Sequence, residues 1–277
     1  SSSTSYCHQN IPALQTEYVS ILKELCESLS DDYQSIDYSK EKNFGSRKAL
    51  TSNEIQNTLA TLKSRIISQR EGDWIAIFNH YNLWMWHFLL LFTAARPVAE
   101  FPGFLKSFNL KRKICMVSDK EVGGRQGYGR LIPLGHFVVQ ELQKFIDFLH
   151  YFKTQIAPSQ PEIPNNIQQI LESKLPLLNI FQDGQWYPLR PSIIKKSNPE
   201  LSLLHENWHR HTARAFLSHK ISEIEILALF GHEPMQQEAA HPYSSLSISQ
   251  YSSIAHILEQ MKDHFNITGI ELDVLTQ

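Results

Sequence analysis

Residues 83–95 run Leu, Trp, Met, Trp, His, Phe, Leu, Leu, Leu, Phe, Thr, Ala, Ala. One imidazole, His87, interrupts the apolar character, and no side chain in the run carries a fixed charge. A bilayer span needs roughly 20 such residues. This run is shorter, so it predicts a helix buried inside a globular fold. The helix extends back to Trp74, and Pro97 and Pro102 end or interrupt it. Other elements must cover it.

The remaining pattern supplies them. Leu14, Tyr18, Ile21, Leu22, Leu25 and Leu29 recur at three and four, which predicts an amphipathic helix over 11–29 after a disordered start. Residues 30–48 are rich in Ser, Asp, Tyr and Lys and have the character of a linker. Thr51 and Glu54 have capping-box spacing, with Leu50 and Ile55 as a hydrophobic staple, so a helix follows to about Ser68. Two β-prone runs, 113–118 and 129–134, flank a glycine-rich stretch and predict a hairpin with a flexible tip. Helices are expected over 137–152 and 165–173, with a Pro-rich loop at 158–164 between them. Asp183 and Gly184 suit a turn between short strands. Further helices are expected near 207–219, 221–230 and 248–264. The fold class is mainly α with a small antiparallel β-sheet (α+β). The domain division is 1–48, an N-terminal helix and linker, and 49–277, a larger domain with a C-terminal tail.

Composition narrows the function classes. Of 277 residues, 42% are hydrophobic and 19% charged, as in a soluble globular protein. The net charge of −2 argues against a non-specific polycation, although nucleic-acid binding depends on where the charges lie. Cys7, Cys26 and Cys115 are odd in number and far apart, which suggests no disulfide framework and a reducing compartment.

Several scattered residues have chemical potential. Arg96 ends the apolar helix, where its planar fork suits phosphate oxygens; the plain alternative is a cation that complements the helix dipole. Lys120 sits beside the hairpin tip, placed either to donate a proton or simply as a solvated turn lysine. Between His205 and Arg214 the chain carries Asn207, His209, Arg210 and His211. Arg210 and Arg214 lie one helical turn apart and could present donors to a phosphodiester. His205 and His209 also have the spacing of metal ligands, but no third ligand accompanies them. Gly231 precedes His232 where the backbone can turn and expose the ring. Tyr243 stands in a Pro/Ser-rich stretch; its phenol needs neighbouring cations to become a nucleophile. Tyr251, in the last predicted helix, is its rival.

The order of these residues resembles that of the tyrosine recombinases, or phage-type integrases, over roughly residues 49–264. The matching stretches are Thr93, Ala94, Ala95, Arg96 and Pro97; Ser118, Asp119 and Lys120, followed by the 130–134 strand; Arg210, His211 and Thr212; Leu229, Phe230, Gly231 and His232; and Tyr243. Asn207 and Trp208 before Arg210 look like a divergent bacterial branch. The resemblance implies the recombinase catalytic-domain fold and a metal-free, cofactor-free reaction on double-stranded DNA. Arg96 and Arg210 would clamp the scissile phosphate, Lys120 would protonate the 5′-oxygen, and His232 would hydrogen-bond the phosphate. Tyr243 would attack phosphorus to form a 3′-phosphotyrosine. It also implies a tetramer on DNA, exchange of a C-terminal segment, no membrane, and a bacterial cytoplasmic, nucleoid-associated location. Lys106, Lys111, Arg112, Lys113, Arg125, Arg130, Lys195 and Lys196 are further candidates for backbone phosphates.

Two departures stand out. Asn207 occupies the place where the family usually has histidine, and it cannot act as a general base; His209 or His211 would have to substitute. A second register, His211 with Arg214, restores the family's pattern but shortens the distance to His232. The gap from His232 to Tyr243 is also long, which keeps Tyr251 in play. About 45 residues precede the matching region, so the chain is read as a fragment that lacks the family's DNA-clamping domain. Three alternatives accompany the recombinase reading: a recombinase-like DNA-binding module without catalysis, a type IB topoisomerase, and a histidine-rich metal hydrolase.

Overall fold

The structure is a computed structural model that describes residues 49–69, 73–98, 101–118, 121–122, 125–126, 129–156, 160, 162–197, 204–231 and 247–271. The helix expected over 11–29 and the linker after it lie outside the described residues. Helix α1 (Ser52–Ile67) begins as its sequence signature requires. Thr51 accepts from the Glu54 amide, and the Glu54 carboxylate accepts from the Thr51 amide. Its buried residues Ile55, Leu59, Leu62 and Ile66 form one stripe and pack on helix α2 (Trp74–Thr93).

From Tyr81 to its end, α2 buries every side chain. Besides α1, it packs against helices α3 (His136–Ile156) and α6 (Trp208–Leu217) and strand β6 (Asn179–Gln182). Its polar residues fasten that strand. The Asn79 side chain both donates to the Phe181 carbonyl and accepts from the Phe181 amide, each at 2.8 Å, as a neighbouring strand would. Asn82 accepts from the Asn179 amide at 3.0 Å. The helix ends at Ala94, which turns into the left-handed region at φ 50°.

Strands β1 (Phe108–Asn109), β2 (Ile114–Val117) and β5 (Arg130–Pro133) form an antiparallel sheet in the order β1-β2-β5. The expected hairpin is β2 and β5, with Met116 opposite Leu131 and Val117 opposite Arg130. Cys115, Val117 and Ile132 face the core, while Met116 and Leu131 face outward. Nearer the hairpin tip, β3 (Glu121–Val122) pairs with β4 (Arg125–Gln126). Strands β6 and β7 (Gln185–Pro188) join through Asp183 and Gly184, both at positive φ, the backbone of a two-residue hairpin turn.

Helix α4 (Glu162–Leu171) starts three residues before the expected 165, inside the expected Pro-rich loop. Pro164 falls in its first turn, where a missing N–H costs nothing because those amides have no intrahelical acceptor. Helix α5 (Pro191–Ser197) was not expected; Pro191 is its first residue, a favoured place for proline. Helices α7 (Glu223–Phe230) and α8 (Ile248–His264) start from capping boxes at Ser222 with Glu225 and Ser247 with Gln250. The architecture is mainly helical with small antiparallel sheets.

Candidate functional site

Arg210 lies at a junction of chain segments far apart in sequence. It is carried by α6 and is 7% exposed. Nη1 donates to the Ala94 carbonyl at 2.6 Å, and Nη2 donates to the Phe230 carbonyl at 2.6 Å. Its guanidinium also lies over the Phe230 ring, 4.5 Å from the centroid. One side chain thereby ties the C-terminal end of α2 to that of α7. Carbonyls at helix ends lack intrahelical partners, and a cation there also complements the helix dipole. Ala94 is two residues before Arg96, which is half-buried. The stretches around Arg96, Arg210 and Gly231 are therefore brought together.

A further arginine joins them. Arg130, at the start of β5, donates from Nε to the Leu229 carbonyl at 2.8 Å. Gly231 caps α7 at φ 62°, and a Cβ added there would lie 3.3 Å from Cδ of Arg130. Glycine at this position thus allows both the left-handed turn and the approach of Arg130. Arg130 was legible only as a phosphate candidate. Its strand position carried a further signal: it shares a face with Ile132, which is buried.

The histidine-rich segment divides. Asn207 begins α6 with its backbone: its carbonyl accepts from His211, its amide donates to His205 Nδ1 at 3.1 Å, and its side chain makes no capping bond. His209 turns inward and shares a 2.7 Å hydrogen bond with His87 of α2, through His209 Nε2 and His87 Nδ1. Both rings are fully buried beside Trp208. Burial pushes the His87 pKa down to about 3 and holds that of His209 well below the usual imidazole value. His209, one of the two expected substitute bases, is thus buried with its Nε2 bonded to His87. His211 is half-buried, with its ring edge-on to His205. Arg214 pairs with Glu223 at 2.5 Å on the surface, so of the two registers it is Arg210 that sits at the junction.

Lys120, His232 and Tyr243 lie outside the described residues. Tyr251 stands in the first turns of α8, and its hydroxyl donates to the Leu131 carbonyl at 3.3 Å. It therefore rests on the strand that carries Arg130. Partial burial raises its pKa and makes its phenolate harder to form. Three of the suggested phosphate contacts have other partners: Arg130 donates to the Leu229 carbonyl, Lys195 pairs with Glu206, and Lys106 lies over the Phe104 ring.

Among the described residues no group of three or more His, Cys, Asp or Glu side chains is placed to hold a metal ion, and no helix is long and apolar enough to cross a membrane. No family profile, no curated protein and no solved structure matches the chain.

Proposed function

We propose that the chain binds double-stranded DNA at the junction of α2, α6 and α7 and breaks and rejoins one strand through a phosphotyrosine. The observation that carries this reading is the bond pair of Arg210 to Ala94 and Phe230. It brings the Arg96 stretch, Arg210 and the end of α7 at Phe230 to one place, although Ala94 and Arg210 are 116 residues apart. In the proposed reaction the Tyr243 phenol gives up its proton to solvent water, its oxygen attacks phosphorus, and the bond from phosphorus to the 5′-oxygen breaks. Lys120 gives its proton to that oxygen. Arg96 and Arg210 stabilise the added charge of the transition state. The phosphotyrosine retains the bond energy, so a 5′-hydroxyl can reverse the step without a cofactor. Assembly as a tetramer on DNA and association with the bacterial nucleoid belong to the same proposal.

A second reading, a DNA-binding module without catalysis, is favoured by two observations. Two of the five Arg210 donors go to carbonyls, and Asn207 stands where a base is wanted. Pooled nicked duplexes of randomised sequence separate the two. The wild-type chain is expected to form a denaturant-resistant, protease-sensitive adduct that Tyr243→Phe abolishes and Tyr251→Phe leaves intact. Binding without any adduct would establish the second reading. An adduct that survives Tyr243→Phe but not Tyr251→Phe would move the nucleophile to α8. Relaxation of supercoiled plasmid without site preference would mark a topoisomerase.

A further inference from the structure

A cleft of about 760 Å³ lies between the β2–β5 hairpin and α8; Tyr251 is among its lining residues, and Arg96 and Arg210 are not. Its floor is apolar: Ile114, Leu131, Pro133, Leu134 and Ala255. From Leu131 that surface continues to its cross-strand partner Met116, and the two are 45% and 54% exposed. Its rim is basic. Arg112 and Lys113 stand exposed on one side, and His136 and His256 also line it.

The one carboxylate among the lining residues, Glu259, is already engaged. Both of its oxygens accept from the Phe137 amide, at 2.9 and 3.1 Å, in the first turn of α3. Gly135 makes room for it; a Cβ there would fall 2.4 Å from Glu259 Oε2. The negative charge inside the cleft thus complements a helix N-terminus, and the exposed cations of the rim are Arg112 and Lys113.

We propose that this cleft docks an acidic amphipathic segment of a partner protein, its apolar side chains on the floor and its carboxylates against Arg112 and Lys113. Charge complementarity selects the sign of the partner, and the floor selects its class. A DNA backbone would satisfy the two cations but would leave the apolar floor largely unfilled, because its sugars offer only small C–H faces interrupted by phosphates. An amphipathic helix laid in a groove meets both needs through anchors at helical spacing. Because the apolar surface runs out of the cleft onto Met116, it suits an extended partner better than a small molecule enclosed by the walls.

The test uses fluorescence anisotropy and is independent of strand cleavage. The probe is a labelled 16-residue peptide with leucines at helical spacing and glutamates elsewhere; a second probe replaces every glutamate with lysine. The acidic probe is expected to bind saturably and the basic one not. Combined Arg112→Glu and Lys113→Glu should weaken the acidic probe by about tenfold or more and admit the basic one. Leu131→Asp should abolish binding without changing the circular dichroism spectrum. Failure of the acidic probe to bind, equal binding of both probes, or indifference to these substitutions would overturn the proposal. So would either rival occupant: a random-sequence duplex that displaces the probe and is itself lost in Leu131→Asp, or a concentration-dependent dimer that Leu131→Asp dissolves.

Discussion

At Arg210, a single guanidinium holds two carbonyls that belong to different helices, and the consequence is measurable. A buried acceptor left without a donor costs about 1–3 kcal/mol. Arg210→Met keeps the stem but strands the Ala94 and Phe230 carbonyls, and is expected to lower stability by roughly 3–4 kcal/mol in urea denaturation. Arg210→Lys should fall between the two, because one ammonium has neither the fork nor the ring contact with Phe230. A loss below about 1 kcal/mol for Arg210→Met would mean that the two bonds do not hold the helix ends. Gly231 is the matching backbone case. At φ 62° an alanine costs about 1–2 kcal/mol from its Cβ alone, and that Cβ also presses on Arg130. Gly231→Asn should be milder than Gly231→Ala, since asparagine tolerates the left-handed region better.

Between elements, α2 and α6 meet through the His87–His209 pair, and pH acts on that contact. Both imidazoles are held neutral in the fold, whereas an unfolded chain protonates them near pH 6.5. Below that value the unfolded state binds more protons. Stability is therefore complete above about pH 6.5 and falls as the pH drops towards the folded His87 value of about 3. The loss is about 1.4 kcal/mol per pH unit for each imidazole. His87→Gln should reduce the slope of unfolding free energy against pH, between roughly pH 6 and 4.5, by about one proton relative to wild type. Equal slopes would clear the pair of that role. This contact also marks a limit of sequence reading. The capping box at Thr51, the β2–β5 hairpin and the Asp183–Gly184 turn depend on residues within a few positions of one another, so local chemistry made them legible. His87 lay in an apolar run and His209 in a basic cluster, and nothing in either stretch announces a partner 122 residues away. Strand β1 and helix α5 are too short to show a period. At the candidate site, the order of Arg96, Arg210 and Gly231 was readable. The sharing of Arg210 between two helix ends was not, because it depends on how α2, α6 and α7 pack.

Across the whole molecule, the segment after α8 closes the fold by binding the first described helix and α3 together. Ile267 and Ile270 are buried, and the backbone between them is held by charged side chains. Lys63 of α1 donates to the Gly269 carbonyl at 2.6 Å and to Thr268 Oγ1 at 3.2 Å. Glu141 of α3, 1% exposed, accepts from the Ile270 amide at 2.8 Å and from Lys144 at 2.7 Å, and Lys144 also donates to the Ile270 carbonyl. This arrangement needs a residue without a side chain at 269. A Cβ there would sit 2.0 Å from Oε1 of Glu141 and 2.3 Å from its Cδ, so either the segment or the carboxylate must move. If the segment moves, the Ile270 amide and two buried isoleucines are exposed; if Glu141 moves, a buried carboxylate loses its donors. Gly269→Ala is thus expected to cost about 2 kcal/mol or more. Glu141→Gln, which keeps an acceptor for the Ile270 amide, should cost less than Glu141→Ala, which does not. Hydrogen exchange separates a local from a global effect. In Gly269→Ala the amides of residues 267–270 should lose protection while those of α2 keep it, because the hydrogen bonds at stake run to Lys63 of α1 and to Glu141 and Lys144 of α3. Loss of protection throughout α2 at the same rate would show that the strap is integral to the cooperative fold rather than a clamp laid on it.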